Sequence, residues 1–497
     1  MTVGSLWKRL REFGRKVSRL GNVPVFQNTG WLTGGQLAGD VASFLFFILL
    51  SRRFGPEGVG IYAFAVAVAS IGRTVAGLGV DDYGVRELAT RGSESAESVV
   101  GRILGTQCWL AAIYTGGCAL FLVGTGVTAR KVVVVGLLAA YHLGAGIVRS
   151  LFLPAFAGRR MAGPALLDSG SRILAIGIGI GVMLWGGDTL VGVLVGFPIS
   201  GALLVMGAVW LSLQDLDRLQ VQFNLDSVVS TTRQAWPFAA AGIVFKLHGR
   251  ADVVMLSLIA GSAATGIYAA GLKFVEVSIV VVALFSFALY PRLTKLAESD
   301  EAGFGVAVTT IVKGGFVACV ILGWGIFVIV PDLIPLFFGS QFQETEFVIK
   351  LFALWVPVKG VKILGDRLML SAGEQVQKLR LQTIATGLNI AFNGVLIPIL
   401  VVEGAILASV VSTGINMLLV IRYLKKYSSE RLVLQLITET SPLFIAGLLA
   451  AGVFAYVGTG EIWAAIAFIM SFGGAAVISG FLPMIWSDMA RLVAWEE

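Results

Sequence analysis

Apolar residues run through this chain in long blocks, broken by short stretches that carry most of the charge. A helix rises 1.5 Å per residue, so about 20 mostly apolar residues cross the ~30 Å hydrocarbon core of a bilayer. Stretches such as 173–187 (ILAIGIGIGVMLWGG) and 278–289 (SIVVVALFSFAL) contain no charged residue at all. By that rule the pattern predicts an all-α polytopic membrane protein with about fourteen transmembrane helices. The first six are expected at 29–50, 59–78, 99–123, 131–152, 166–186 and 190–212, and the next six at 236–258, 264–288, 306–330, 346–370, 379–400 and 404–423. A last pair is expected at 440–458 and 462–485, followed by a tail at 486–497. Residues 1–28 have another rhythm. Leu6, Leu10, Phe13, Val17 and Leu20 recur every three or four positions, and Lys8, Arg9, Arg11, Arg15, Lys16 and Arg19 fill the gaps. That predicts an amphipathic helix on an anionic membrane surface rather than a cleaved signal, since no small-residue cleavage site follows it.

Charge orients these helices. With the N-terminus inside, the inner segments hold 19 Lys and Arg residues and the outer loops hold three, Arg52, Arg53 and Arg130. Cytoplasmic loops accumulate Lys and Arg, so both termini are expected in the cytoplasm and the chain in the cytoplasmic membrane. The net charge of +7 has the same topological origin and does not point to nucleic acid. Composition agrees: 57% of residues are hydrophobic and 13% charged, against about 25% charged in a soluble protein. A disordered chain, a disulfide scaffold and a soluble enzyme of ordinary make-up are excluded. Cys108, Cys118 and Cys319 lie in apolar runs and read as small buried side chains. His142 and His248 are the only histidines, so neither a multi-His metal site nor a cofactor is expected. The absence of any Gly-Lys dipeptide rules out a P-loop and with it an ATP-driven pump.

The chain also repeats itself. GIYA at 60–63 returns at 266–269, an offset of 206 residues, and Arg86 and Arg292 share that offset. Helices 1–6 (29–212) and 7–12 (236–423) thus read as two copies of one six-helix unit, with the last pair appended. Repeats of this kind commonly place a substrate path at their junction. The residues that carry the repeat bear a wider likeness. The stretch SRRFGPEGVGIYAFAVAVASIGRTVAGLGVDDYGVREL (51–88) resembles the first hairpin of polysaccharide and oligosaccharide-lipid flippases. GRADVVMLSLIAGSAATGIYAAGLKF (249–274) and YPRL (290–293) resemble their seventh and eighth helices. These proteins form part of the multidrug/oligosaccharidyl-lipid/polysaccharide exporter superfamily. The resemblance implies two six-helix lobes around a central cavity and a lipid-linked oligosaccharide as substrate. It also implies membrane lipids and glycan-assembly enzymes as partners, and transport without covalent catalysis.

Charges inside the spans are the candidate chemistry. At the bilayer centre a charge costs roughly 2.5–3.5 kcal/mol, so it faces a cavity or a partner. Arg102, Lys131, Lys350, Arg380 and Arg422 sit at span ends, and Arg149, Lys313 and Arg367 near cytoplasmic ends, where snorkelling accounts for them. Lys273 with Glu276, Lys362 with Asp366 and Asp168 with Arg172 are spaced three or four apart and neutralise one another locally. Lys246 and Arg250, four apart on helix 7, have no such local acid, and neither has Arg73. A substrate of the kind the resemblance implies carries one or two phosphates, which Arg and Lys bind by charge-assisted hydrogen bonds. Arg73, Lys246, Arg250 and Lys359 are therefore the expected phosphate-binding residues. Asp40, Asp252 and Glu276 are expected either to pair these cations between lobes or to take part in coupling to a proton, a sodium ion or the membrane potential. The rival reading is a cation-coupled multidrug exporter of the same superfamily. Cationic drugs favour an acidic cavity, whereas the one expected here is basic.

Overall fold

The computed structural model describes residues 24–91, 96–157, 162–214 and 220–428, and among them the long elements are all α-helices. Most of the expected amphipathic segment 1–28, the expected helices at 440–458 and 462–485 and the tail 486–497 lie outside the described residues. The helices are α1 (Pro24–Gly77), α2 (Val80–Arg91), α3 (Ala96–Gly124), α4 (Ala129–Leu151), the short α5 (Leu153–Ala157), α6 (Ala162–Leu184), the short α7 (Leu190–Leu194) and α8 (Gly196–Ser212). They continue as α9 (Leu225–Ile259), α10 (Gly261–Ser299), α11 (Glu301–Phe338), α12 (Thr345–Ser371) and α13 (Gln375–Leu424).

Eight of these stretches are long and apolar enough to cross a membrane. Trp185 and Leu184, at 93% and 81% exposure, are apolar surface of the kind that only lipid solvates well. The protein is a multi-pass membrane protein. Two long helices, α9 and α12, are missing from that apolar set. They carry Lys246, Arg250 and Asp252, and Lys359, Lys362, Asp366 and Arg367 respectively, so the chemistry is concentrated in the least lipid-like helices.

Two expected helices often run into one another. At Gly55 the backbone of α1 takes φ +62°, a left-handed value that favours glycine, and Pro56 follows without an N–H to donate. The break separates the stretches expected at 29–50 and 59–78. Val401, at φ +52°, breaks α13 between 379–400 and 404–423 in the same way. Several expected inner loops are helical too. The segment 79–98 contains α2, and α9 starts at Leu225, where the Asn224 side chain accepts from the Asp226 N–H at 2.9 Å. Asp300 likewise accepts from the Gly303 N–H at 2.9 Å and starts α11. Hydropathy marks where a helix meets lipid, whereas such caps mark where it begins.

The helices divide into two compact units. Among the described residues, the first takes in those up to Leu49 and those within Ala65–Lys246; the second takes in Leu50–Phe64 and the described residues from Leu247 on. Each has its own core. In the first, Val100, Ile103 and Leu104 of α3 pack with Val148 and Leu151 of α4 and Leu204 of α8. There too the extended residues 220–222 lie along α3, where a Cβ at Gly101 or Gly105 would overlap the carbonyl oxygens of Gln220 and Gln222. The Gln222 N–H donates to the Gly101 carbonyl at 3.0 Å. In the second unit, Phe304 and Val308 of α11 pack with Leu364 and Leu368 of α12 and Val420 and Leu424 of α13. The two GIYA copies meet there. A Cβ at Gly60 would overlap the Ser262 carbonyl, and one at Gly266 would overlap the Pro56 carbonyl.

Candidate functional site

The first unit contains a cavity of about 340 Å³ lined by Ser70, Arg73 and Thr74 of α1, Asp81 and Asp82 of α2, His142 and Arg149 of α4, and Lys246 of α9. The approach of α9 is set by Gly242, whose missing Cβ would sit 3.3 Å from the Thr74 methyl. One turn further along α9, Lys246 reaches the same space. The two carboxylates here are already engaged. Asp81 Oδ1 accepts from Gln107 Nε2 and Ser150 Oγ, both at 2.8 Å, and Arg149 Nη2 lies 2.9 Å from Asp82 Oδ1. Arg149 Nε is 3.8 Å from Asp81 as well. Arg73, by contrast, makes no hydrogen bond and no ion pair among the described residues, and it lines the cavity with its donors open.

The second unit contains a cluster with an excess of cations. Arg250 Nη2 stands 3.3 Å from Glu276 Oε1, and Lys273 Nζ stands 3.4 Å from Glu276 Oε2. The charge of Lys359 also acts on that carboxylate. Lys359 itself has no carboxylate within ion-pair distance among the described residues, and its Nζ lies 3.9 Å from the centre of the Trp355 ring. Three cations thus surround one acid. Asp252 does not pair with any of them; it accepts from the Tyr268 hydroxyl and from the Val253 N–H at 2.8 Å. Below it, Lys362 donates to Gln382 Oε1 at 2.6 Å and pairs with Asp366 at 2.8 Å. Asn416 donates to the same Gln382 oxygen at 3.2 Å, and Asn389 donates to Ser412 at 3.2 Å.

Apart from Asp252, held by Tyr268 and the Val253 N–H, the predicted residues fall into three places. Arg73 and Lys246 line the cavity of the first unit, and Arg250, Lys359 and Glu276 form the cluster of the second. Asp40 belongs to neither set and is bound to Arg172 Nη1 at 3.1 Å, while Arg172 Nη2 reaches Asp168 at 3.8 Å. Arg102 is bound to Glu87 and Arg149 to Asp82, so both of these span-end cations have acid partners. Sequence reasoning did not select Asp81, Asp82, Arg149 or His142 as a group. Their spacing carries no local signal, since α2 and α4 bring them together only in the folded unit.

With the fold and these sites in place, comparison with known proteins identifies the class. Residues 25–297 match the family described as polysaccharide biosynthesis protein, and the chain belongs to that family. No curated protein matches the chain in sequence. Among solved structures, lipid II flippase MurJ in an inward closed conformation is similar with a TM-score of 0.72 at 15% identity, over 93% of this chain and 99% of that one. A multidrug resistance MATE family transporter of the MOP superfamily, facing inward, is similar with a TM-score of 0.56 at 15% identity, over 78% of this chain and 94% of that one. The chain has the fold of these transporters.

Proposed function

We propose that the protein is a flippase that carries a polyprenyl-phosphate- or diphosphate-linked oligosaccharide across the cytoplasmic membrane for polysaccharide or surface-glycan biosynthesis. It makes and breaks no covalent bond. In this reading the lobes 29–212 and 236–423 alternate in their access to the two faces, and both termini are cytoplasmic. The observation that carries the reading is the open guanidinium of Arg73 in a polar cavity inside a membrane protein. A cation kept there with no carboxylate in ion-pair distance, acted on by Asp168 and Asp81 only from further off, needs water or an anion close by. Membership of a polysaccharide biosynthesis family gives that anion a chemical class, a lipid-borne phosphate. Lys246, Arg250 and Lys359 are the further phosphate ligands in the proposal, and Asp40 and Asp252 the acids assigned to ion coupling. A cationic drug would need a free carboxylate in the cavity, but Asp81 and Asp82 are both engaged.

The test uses the full chain in liposomes, with a fluorescent lipid-linked sugar in one arm and a cationic dye in the other. Wild type is expected to move the sugar lipid and leave the dye. Arg73→Ala is expected to lower sugar-lipid transport by more than tenfold, in line with about 1.5–3 kcal/mol for a charge-assisted hydrogen bond. Arg73→Lys should restore part of it, because the ammonium lacks the planar fork. Dye transport without sugar-lipid transport would overturn the reading in favour of a drug exporter.

A further inference from the structure

Lys359 and Arg367 of α12 rest on aromatic faces and have no carboxylate within ion-pair distance among the described residues. Lys359 belongs to the cluster already described. Arg367 does not: it lies eight residues on, about 12 Å further along the helix and four residues before its end at Ser371. Its guanidinium carbon sits 4.0 Å from the centre of the Phe287 ring and 5.2 Å from that of Tyr290. Those two rings are three residues apart on α10 and share one side of that helix. Phe287 is 60% exposed, so the shelf is open rather than buried in the core.

The neighbouring acid is not available to Arg367. Asp366 pairs with Lys362 at 2.8 Å and faces Lys378 at 4.0 Å. Among the described residues Arg367 donates no hydrogen bond and has no carboxylate within ion-pair distance. Aromatic rings cover the flat face of a guanidinium, whereas its five N–H donors lie in the plane and point outward from the edge. A stacked guanidinium with an open edge is set in place before any anion arrives, so little side-chain freedom is lost when a planar pair of oxygens docks.

We propose that Arg367, held on the Phe287–Tyr290 shelf, is a separate docking station for a lipid-borne phosphate at the inner end of α12. The same chemistry has two sources, the diphosphate of a lipid-linked substrate and the phosphodiester of an anionic phospholipid. The first source rests on the flippase reading; the second does not. Full-length protein is reconstituted in phosphatidylcholine vesicles and its binding of farnesyl diphosphate is measured. In parallel, protein purified from vesicles containing phosphatidylglycerol is analysed for retained phospholipid. In an Arg73→Ala background, which keeps the cavity of the first unit from masking the loss, Arg367→Ala is expected to weaken farnesyl diphosphate binding about tenfold, and Arg367→Lys to recover part of it. Phe287→Leu should weaken it as well, although no charge is removed, because the shelf is lost. A purely structural Arg367 would lower the yield of folded protein and leave binding per folded molecule unchanged. Intact diphosphate binding with lost phosphatidylglycerol supports the station and assigns it to the phospholipid. If both measurements are unchanged in Arg367→Ala, the station is overturned, whatever Arg73→Ala does to transport. If wild type binds no farnesyl diphosphate, the substrate source of the station fails and phospholipid retention alone decides it, while the sugar-lipid transport assay decides the flippase reading.

Discussion

Asp252 shows what a buried acid needs at the scale of one residue. It is 4% exposed, and its carboxylate is held by the Tyr268 hydroxyl and a backbone N–H rather than by a cation. Tyr268→Phe removes a donor to a buried acceptor and should lower stability by about 1–3 kcal/mol, seen as a lower Tm in detergent. An unchanged Tm would mean that the carboxyl does not depend on this bond. The partner of Arg250 illustrates what the sequence leaves illegible at this scale. Helical spacing points directly to Lys273 with Glu276 and Lys362 with Asp366, which stand at 3.4 and 2.8 Å. Glu276 lies 26 positions from Arg250, and Arg172 lies 132 from Asp40, on helices whose approach no local pattern encodes. Local pairs follow from the pitch of one helix, whereas pairs between helices follow from packing.

At the scale of elements, helix ends and turns are where the chain departs from its hydropathy. The turn after α12 is held to the end of α13 by Glu374, which accepts from Lys426, from Tyr423 at 2.6 Å and from Tyr427 at 3.0 Å. Hydrogen bonding from Lys426 keeps the Glu374 carboxyl below the usual carboxylate range. A carboxyl that is more acidic folded than unfolded contributes stability above its unfolded pKa, about 4.3. That contribution fades as the pH falls through the lower folded value. Glu374→Gln should therefore reduce the Tm at neutral pH, and the gap to wild type should narrow as the pH drops below about 4. A gap that is constant across that range would show that the bonds, rather than the charge, do the holding. None of this clamp is visible in hydropathy. Tyr423, Lys426 and Tyr427 meet Glu374 only because α13 turns back at Val401.

At the scale of the whole molecule, the helical membrane fold was legible because bilayer thickness imposes its length on every crossing segment. The position of the GIYA repeat was legible too, but its physical use was not. Position 60 meets 262 and position 266 meets 56, so each glycine faces the residue four before its own counterpart in the other copy. In a two-fold dimer, a residue i that touches j across the interface requires that j touch i. This chain obeys that rule with itself. Gly60→Ala and Gly266→Ala should therefore cost nearly the same, about 1–3 kcal/mol for forced overpacking. The double variant should cost less than the two together, since the first methyl already parts the helices that the second would crowd. Unfolding of both single variants and the double in the same detergent measures this, and simple additivity would show two independent contacts. The two glycines then behave as one feature written twice: a change tolerated at either position alters what the other can accept, so neither GIYA can vary independently of the other.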